Sequence, residues 1–402
     1  MKQIQKRRKV GSTLARSFIA LFMASALTAG FVSCGDDSDD EKQNETTQQN
    51  DDTTKQKEAP TESFANALSS LKTVGDFSGV YSVEFDGDYK LDSLVKEDIT
   101  TEEALVTYLT TNVPEWKTAK ESGSHVTINV EGAGCGSIVA ENTGSAGGMI
   151  FGRNFDYKNG SVLLLHTVPY SGYESVSTSY PYFLTDERNW APGDSVESKA
   201  VALSAIYVPM DGMNEKGLYI SILEAGDDEA TAQTADGKSK VQTTVAARYI
   251  LDNADTVDKA LELLGNINMY SVHNTAYHFA IADNSGKSVV VEWINNEMKV
   301  TESKVVTNHY IAEDSGKTAP DANDDTLLRF NALKTAGETA NWKMNTEQVR
   351  EALKAASAGQ YDDETDESKK HLSLWSAVFE PSAKRVTYYF RENYDKPVVV
   401  QF

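Results

Sequence analysis

Three residues whose side chains could together form an activated nucleophile lie within one short stretch of the chain. Cys135 stands at the head of an apolar segment and has a glycine on each side, which opens its thiol to close approach. The next apolar segment carries Arg153 and Asp156. If the two segments form a hairpin, the cation and the carboxylate return beside the thiol. A nearby cation lowers a thiol pKa, and a carboxylate orients a protonated partner, so this set favours nucleophilic catalysis.

The same three residues also have a structural explanation. A single cysteine in a strand is often a small buried apolar side chain, and many Arg–Asp pairs only stabilise the fold. The residue types alone therefore leave both interpretations open.

The composition excludes several other classes of protein. The chain has 402 residues, a formal net charge of −22 and two cysteines, Cys34 and Cys135. Two cysteines cannot build a disulfide framework or a cysteine-rich zinc module, and an acidic surface opposes binding to the phosphates of nucleic acids. The six histidines include no pair at metal-ligand spacing, and no glycine-rich loop with a lysine is present to bind phosphate. Neither a metal nor another cofactor is expected.

The first 60 residues have the composition of an export signal followed by a tether. Residues 1–33 combine a basic start with an apolar run too short for a comfortable membrane span. The run ends in small residues before Cys34, which is similar to a bacterial lipoprotein signal, in which that cysteine is acylated. A plain signal peptide with an incidental cysteine is the alternative. Residues 34–60 are almost wholly polar and predict a disordered acidic tether.

These features predict an exported protein held at the outer membrane or cell surface by lipid alone. Removal of residues 1–33 leaves 32 basic and 60 acidic residues, a net charge of −28. Such a charge opposes adsorption to an anionic membrane, so attachment depends on the lipid.

The rest of the chain alternates between runs of short strands and pairs of helices. Helical spacing begins near Thr61, a strand is indicated around 80–85, and Thr100 is the expected cap of a second helix. Strands are then predicted at 124–130, 136–141, 148–153, 161–168, 200–208 and 217–224. Two helices follow, the second capped at Asp255. Later elements are strands at 277–283, 288–294 and 298–308, helices at 325–337 and 346–357, and a hairpin of 373–380 with 385–391. This order predicts an α+β fold in which two sheets are covered by helices.

The sequence from 135 to 402 resembles the linear-amide C–N hydrolases that use an N-terminal cysteine nucleophile. This family includes choloylglycine (bile salt) hydrolases, penicillin V acylases and the more distant acid ceramidases. Its two opening motifs are matched by Cys135-x-Ser-Ile-Val-Ala-Glu and Gly-Arg153-Asn-Phe-Asp156. Further similar pieces follow in the family's order: Asp211-Gly-Met-Asn214, His278 to Asp283, Glu292, Thr307-Asn308-His309, Leu328-Arg329-Phe330 and Trp375-Ser376.

The resemblance implies a fold, a reaction and a domain layout. The fold is the N-terminal-nucleophile (Ntn) hydrolase four-layer αββα sandwich, with two mainly antiparallel sheets between helix layers, over residues 135–402. Cleavage between Gly134 and Cys135 would free an α-amine that accepts the thiol proton, and the thiolate would then form an acyl-enzyme with an N-acyl amide. About a hundred residues lie between Cys34 and Cys135, a layout that is closer to that of acid ceramidases. Residues 61–134 are therefore expected to be a pro-segment or small subunit.

The resemblance also assigns roles to individual residues. Asp156 would hold the α-amine, Arg153 would stabilise the nucleophile, Asn308 would donate to the oxyanion, and Arg329 would complete the polar network. Glu224 stands where the family usually has a second oxyanion asparagine. A carboxylate there repels an oxyanion unless it is protonated or turned away, which makes Glu224 a candidate substrate-binding residue instead.

Simpler roles remain open for several of these residues. Asn308 could cap a turn, and Arg329 could pair with Asp324 or Asp325 on its own helix. The aromatic-rich stretch at 170–190 could line a pocket for an apolar acyl group or pack a loop onto the core.

The function expected from the sequence is hydrolysis of a small-molecule N-acyl amide by a self-processing cysteine enzyme. Conjugated bile acids, penicillin V and N-acyl amino acids or lipids all fit this substrate class. An acyltransferase with the same acyl-enzyme and a non-catalytic binding lipoprotein on the same fold are the alternatives. The sequence indicates no particular oligomeric state.

Overall fold

A computed structural model of the chain describes residues 63–113, 115, 117, 134–185, 187–226, 230–271, 275–313, 315–362, 365 and 370–402. All of these residues belong to one unit, Gln56–Phe402. The expected export signal, Cys34, the tether and the strand expected at 124–130 lie outside the described residues.

The helices and strands alternate much as the sequence indicates. The helices of the described residues are α1 (Ser63–Ser70), α2 (Leu91–Lys96), α3 (Glu102–Asn112), α4 (Val196–Ser204), α5 (Thr243–Asn253), α6 (Val257–Gly265), α7 (Asp325–Thr339) and α8 (Thr346–Ala355). The first nine strands are β1 (Lys72–Thr73), β2 (Val80–Gly87), β3 (Gly134–Asn142), β4 (Met149–Lys158), β5 (Val162–Pro169), β6 (Ser175–Ser179), β7 (Asp211–Asn214), β8 (Tyr219–Gly226) and β9 (Lys240–Gln242). The remaining strands are β10 (Asn268–Tyr270), β11 (Ala276–Ala282), β12 (Ser288–Ile294), β13 (Glu297–Glu302), β14 (Val305–Val306), β15 (Lys343–Met344), β16 (His371–Glu380), β17 (Arg385–Phe390) and β18 (Val398–Gln401).

Most of the described strands form two sheets. The first sheet has the order β1-β2-β5-β6-β7-β8-β11-β12-β13, and only its β2–β5 pair is parallel. The second has the order β14-β3-β4-β16-β17-β18, with β15 also paired to β3. Strands β9 and β10 form a separate parallel pair. Both large sheets are therefore mainly antiparallel.

The two sheets face each other, and a helix pair covers the outer face of each. Between the sheets, the Tyr219 ring of β8 stacks on Phe151 of β4 with centroids 5.2 Å apart. On the outside of the second sheet, Leu333 of α7 and Leu353 of α8 are buried against Ile138. Helices α5 and α6 pack on the first sheet. The result is a four-layer αββα sandwich, as the sequence predicts.

The segment upstream of Cys135 is part of the first sheet. Strand β2 pairs with β5 in unbroken register, from Val80 opposite Val162 to Gly87 opposite Pro169. Val83 of β2 is fully buried in the main core cluster. Residues 63–113 therefore contribute to the same core as the part of the chain that follows Cys135.

Three local predictions are wrong. The strand expected at 200–208 is helix α4 followed by a 3₁₀ turn at Ala205–Tyr207. Its residues from Ala200 onward are buried, so the apolar run is continuous and hides the helical period. The caps of α3 and α6 are Thr101 and Thr256 rather than Thr100 and Asp255, because each threonine hydroxyl accepts the amide three residues later.

No helix among the described residues is both long enough and apolar enough to cross a bilayer.

Candidate active site

The β3–β4 hairpin places the predicted nucleophile beside its two charged neighbours. Gly134 lies opposite Asp156, Cys135 opposite Phe155, and Ser137 opposite Arg153. The predicted return of Arg153 and Asp156 to the start of the Cys135 strand is therefore confirmed. Glycine is needed at position 134, because a Cβ atom there would lie 2.9 Å from Cβ of Asp156.

Arg153 and Asp156 reach Cys135 from opposite sides of the second sheet. They stand three positions apart on β4, and side chains alternate between the faces of a strand. Arg153 faces the first sheet, where its Nη2 donates to the carbonyl oxygen of Ile222 at 2.7 Å. The Cys135 thiol lies 3.9 Å from the same carbonyl oxygen. Asp156 instead meets Arg329 of the outer helix α7, with 3.4 Å between Oδ2 and Nη1.

Asn308, just after β14, contacts the main chain of Cys135 directly. The Cys135 amide donates to Oδ1 of Asn308 at 2.6 Å, and Nη2 of Arg329 donates to the same oxygen at 3.0 Å. Nδ2 of Asn308 donates to the carbonyl oxygen of Glu224 at 2.8 Å. Because Oδ1 faces two donors and Nδ2 faces a carbonyl, the network itself fixes the orientation of the amide.

Arg329 contacts the main chain of Cys135 directly at the carbonyl oxygen and, through Asn308, at the nitrogen. Its Nη1 donates to the Cys135 carbonyl oxygen at 2.6 Å, and its side chain is only 2% exposed. It also contacts Asp325 at 3.3 Å, one of the two helix partners considered from the sequence. The ion pair with Asp325 on the same helix is therefore present, but Arg329 also contacts Asp156 and Asn308.

Asp156 is completely buried between Arg329 and Ser373. The hydroxyl of Ser373 donates to Oδ1 of Asp156 at 2.6 Å. Burial raises the pKa of Asp156 above its usual value, although Arg329 and Ser373 both oppose that rise. This carboxyl group therefore takes up a proton more readily than a solvated aspartate.

Arg153 is held by a second carboxylate that lies on the first sheet. Its Nε lies 3.5 Å from Oδ2 of Asp211, and Nε1 of Trp375 donates to the same oxygen at 2.7 Å. All three side chains are buried. Nη1 of Arg153 has no hydrogen-bond partner among the described residues, which leaves a donor of this cation for an anion formed near the thiol.

Burial opposes ionisation of the Cys135 thiol. Cys135 is 1% exposed, and burial raises the pKa of its thiol to about 11. The charges of Arg153 and Arg329 lower that pKa, while Asp156 raises it. Attack by sulfur thus requires a base that takes the thiol proton at the moment of reaction.

Glu224 lies on β8 directly opposite Tyr277 of β11, and it is 9% exposed. The site uses its main-chain carbonyl oxygen, which accepts from Asn308. Burial and the nearby charge of Glu224 raise the pKa of Tyr277 well above its usual value. The role of the Glu224 carboxylate toward substrate stays a prediction.

Three residues that complete the site received no role from the sequence. Asp211 binds Arg153, Ser373 binds Asp156, and Thr326 accepts the main-chain amide of Asn308 at 2.9 Å. Ser373 could have been found from pairing, since it lies opposite Asp156 in the β4–β16 register. Asp211 stands at the head of a family-like segment, and no sequence signal identifies Thr326.

The aromatic stretch at 170–190 mainly packs the core. Tyr180 and Phe183 are buried and surround Phe155 with ring centroids 6.0 and 6.3 Å away. Tyr170 is 53% exposed and does not join them. Tyr180 and Phe183 therefore pack the loop onto the core, which is the second of the two roles considered for this stretch.

The chain is similar to proteins that act on acyl amides. The family model described as acyl-coenzyme A:6-aminopenicillanic acid acyl-transferase matches residues 201–395. A penicillin V acylase from Pectobacterium atrosepticum is 32% identical over 111 residues, which cover 24% of this chain and 29% of that protein. A bile salt hydrolase/transferase from Clostridium perfringens is 28% identical over 110 residues, covering 24% and 31%. The matched segments thus span less than a third of these relatives.

Solved structures of similar proteins were also found. A conjugated bile acid hydrolase from Clostridium perfringens covers 67% of this chain and 92% of its own, at 16% identity and a TM-score of 0.46. A penicillin V acylase from Agrobacterium tumefaciens covers 66% and 84%, at 17% identity and a TM-score of 0.46. The family model and the two sequence matches show that part of the chain is similar to a group of proteins that includes penicillin V acylases and bile salt hydrolases.

Proposed function

We propose that this protein is a self-processing cysteine amidohydrolase that cleaves a linear N-acyl amide through a thioester acyl-enzyme. The observation that carries the proposal is the set of contacts around the main chain and thiol of Cys135. Its N–H binds Asn308 at 2.6 Å, its carbonyl oxygen binds Arg329 at 2.6 Å, and Arg153 lies on the thiol side. Any buried main-chain group needs a hydrogen-bond partner, so the distinguishing feature is that an amide and a guanidinium side chain supply these partners beside the thiol.

Self-processing would begin with attack of the Cys135 sulfur on the carbonyl carbon of Gly134. A C–S bond forms, the C–N bond breaks, and the thiol proton passes to the departing nitrogen. Water then cleaves the thioester, leaving a carboxylate on Gly134 and an α-amine and free thiol on Cys135. Asp156 is placed to assist, because it packs against Gly134 and its raised pKa favours proton uptake.

The new α-amine would then serve as the base for turnover. A free α-amine has a pKa near ~8, which suits it to accept the thiol proton at neutral pH. The nitrogen keeps its partner, since the bond from Cys135 to Asn308 needs only an N–H. The thiolate attacks the substrate carbonyl, the amine product leaves with the proton, and water hydrolyses the thioester. Arg153 stabilises the thiolate. Nδ2 of Asn308 carries two N–H groups; one binds the Glu224 carbonyl oxygen, and the other would donate to the oxyanion.

The upstream segment, residues 61–134, would stay bound as a small subunit after cleavage. Strand β2 supplies a full row of main-chain hydrogen bonds to β5, and Val80 and Phe85 are buried in the shared core. Tyr89 adds a hydrogen bond from its hydroxyl to Asp252 of α5. Breaking one peptide bond removes none of these interactions.

The substrate class pairs an apolar acid with a small amine. The relatives are named for penicillin V and bile salts, and N-acyl amino acids or lipids have the same linkage. A panel of such amides, scored for released amine with wild type and Glu224→Asn, tests the proposal and the role of Glu224 together. Release of amine from at least one substrate is expected, with a changed order of preference in the variant if its carboxylate contacts substrate. No release from any substrate by cleaved protein would contradict the proposal.

Acyl transfer is a second candidate, favoured by the acyl-transferase description of the matching family model. The same thioester would then pass its acyl group to an amine. Adding a second amine to the hydrolysis assay separates the two reactions. A new amide at the expense of free acid indicates transfer, and unchanged free acid indicates hydrolysis alone.

We also propose that the enzyme is exported and held at the membrane by acylation of Cys34. The support is in the sequence: a basic start, a short apolar run and the acidic stretch after Cys34. Wild type expressed in bacteria should partition into detergent, and Cys34→Ala should move to the aqueous phase. Equal partitioning of the two proteins would contradict the lipid anchor.

A further inference from the structure

A buried histidine–carboxylate pair lies on the first sheet, outside the set of residues described above. His278 of β11 and Glu292 of β12 are cross-strand neighbours, and both are 0% exposed. Nδ1 of His278 lies 3.2 Å from Oε1 of Glu292, and Nε2 lies 2.8 Å from the carbonyl oxygen of Thr307. Both ring nitrogens of His278 thus lie within hydrogen-bond distance of an oxygen atom. The ring therefore links Glu292 to the chain at Thr307.

Glu292 binds the chain that follows Asn308. Its Oε1 accepts the amide of Ile311 and its Oε2 accepts the amide of Ala312, both at 2.8 Å. Burial alone would raise the pKa of Glu292, but His278 and these two amides hold it below its usual value. The Glu292 side chain thus contacts the His278 ring and two main-chain amides.

The pair holds the 307–312 segment at both ends. His278 fixes the carbonyl group of Thr307, the residue before Asn308, and Glu292 fixes the amides of Ile311 and Ala312. The segment follows β14 of the second sheet, and His278 and Glu292 of the first sheet hold it where Asn308 meets Cys135. A buried ion pair adds little net stability compared with apolar side chains of the same volume. Its hydrogen bonds do, however, define one position for the segment.

We propose that His278 and Glu292 are positioning residues, which hold the 307–312 segment so that the Asn308 amide meets the nitrogen of Cys135. The inference rests on the proposed function, since it assigns the pair to the same reaction. The pair does not touch the thiol; it acts through Asn308. A displacement of about 1 Å in such a donor can cost about 10²-fold in rate.

A double-mutant cycle between His278 and Asn308 tests this role. His278→Gln should lower kcat by about 10²-fold and leave KM within about twofold, because ground-state binding is kept. In an Asn308→Ala background the same change should cost less than about twofold, because the group it positions is gone. Equal losses in both backgrounds, or an unchanged kcat, would overturn the inference.

Two further variants keep the test decisive. Glu292→Gln keeps one side-chain oxygen to accept a main-chain amide. It takes the place of His278→Gln in the cycle if that variant does not fold, and the losses of kcat expected in the two backgrounds are those given for His278→Gln. Asp252→Asn is the matched control, because Arg248 and Asp252 form an equally buried pair, 3.3 Å apart, away from Cys135. It should lower the melting temperature and leave kcat unchanged.

Hydrogen exchange separates failure of this inference from failure of the proposed function. If cleaved wild type turns over no substrate, the proposed function fails, and the cycle cannot be read. Amide exchange at Ile311 and Ala312 still tests the pair. Both variants of the pair should speed exchange there, and unchanged protection would overturn the positioning role.

Discussion

The main-chain N–H of Cys135 donates a 2.6 Å hydrogen bond to Oδ1 of Asn308, 173 positions later in the chain. The bond joins the start of β3 to the segment that follows β14, and Arg329 donates to the same oxygen. In the proposed mechanism this nitrogen is an amide before cleavage and an α-amine afterwards. One contact therefore serves both the self-processing step and the turnover step of the proposed mechanism.

Loss of the Asn308 amide should reduce turnover without loss of the fold. Asn308→Ala removes the proposed oxyanion donor, and such a loss typically costs about 10²- to 10³-fold in kcat. Steady-state kinetics on the cleaved enzyme measure it. Asn142→Ala is the control, since Asn142 is a buried asparagine that binds Glu380 instead. A kcat for Asn308→Ala equal to that of Asn142→Ala would remove Asn308 from the reaction.

Replacement of Arg153 should make the thiol harder to ionise. Burial raises the pKa of Cys135 and the charge of Arg153 lowers it. Arg153→Gln removes that charge, so the pKa of the thiol should rise. A rise of one pKa unit reduces the thiolate at a given pH below the pKa about tenfold. Alkylation of Cys135 across a pH series should show the rate profile displaced to higher pH. An unshifted profile in folded Arg153→Gln would show that the cation does not act on the thiol.

Acid should destabilise the protein partly through His309. Burial lowers the pKa of His309 from 6.5 to about 4, and the charge of His278 adds to the shift. Between about pH 4 and 6.5 the unfolded chain binds a proton at His309 that the folded chain does not bind. Stability due to the neutral ring is complete above pH 6.5 and is lost as the pH falls toward 4. His309→Gln should therefore lose fewer degrees of melting temperature than wild type between pH 7.5 and 4.5. Equal losses would show that His309 is not responsible.

The cleaved chain should remain one particle because β2 belongs to the first sheet. Size-exclusion chromatography of cleaved wild type should give a single peak that contains both fragments. Val83→Asp places a charge at a fully buried position of β2 and should release the upstream fragment or prevent folding. Glu84→Lys, at the exposed neighbouring position, should leave the peak intact. Separate elution of the wild-type fragments would contradict the small-subunit proposal.

The β3–β4 hairpin of the site could be predicted from the sequence, but the approach of distant residues to that hairpin could not. Cys135 and Asp156 lie on adjacent apolar runs, so local pairing brings them together. Asn308 and Arg329 were indicated only by family resemblance, because tertiary contacts across 173 and 194 positions leave no local pattern. Helix α4 was missed for a related reason, since an element buried on most sides shows no period.

The sequence also does not show which neighbouring layer each face of β4 contacts. Alternation shows that Arg153 and Asp156 point in opposite directions, but not which layer each one meets. The structure places Arg153 against Asp211 of the first sheet and Asp156 against Arg329 of the outer helix. The site is thus assembled from two layers around one strand.

Intact-mass measurement of purified protein, with and without a thiol-directed acylating probe, tests the central claim most directly. For wild type we expect two polypeptides separated between Gly134 and Cys135, with the probe on the fragment that begins at Cys135. Cys135→Ala should give one uncut, unlabelled chain with no amide hydrolysis. An uncut wild-type chain that does not react with the probe, or undiminished hydrolysis by Cys135→Ala, would contradict the assignment of Cys135 as the N-terminal nucleophile.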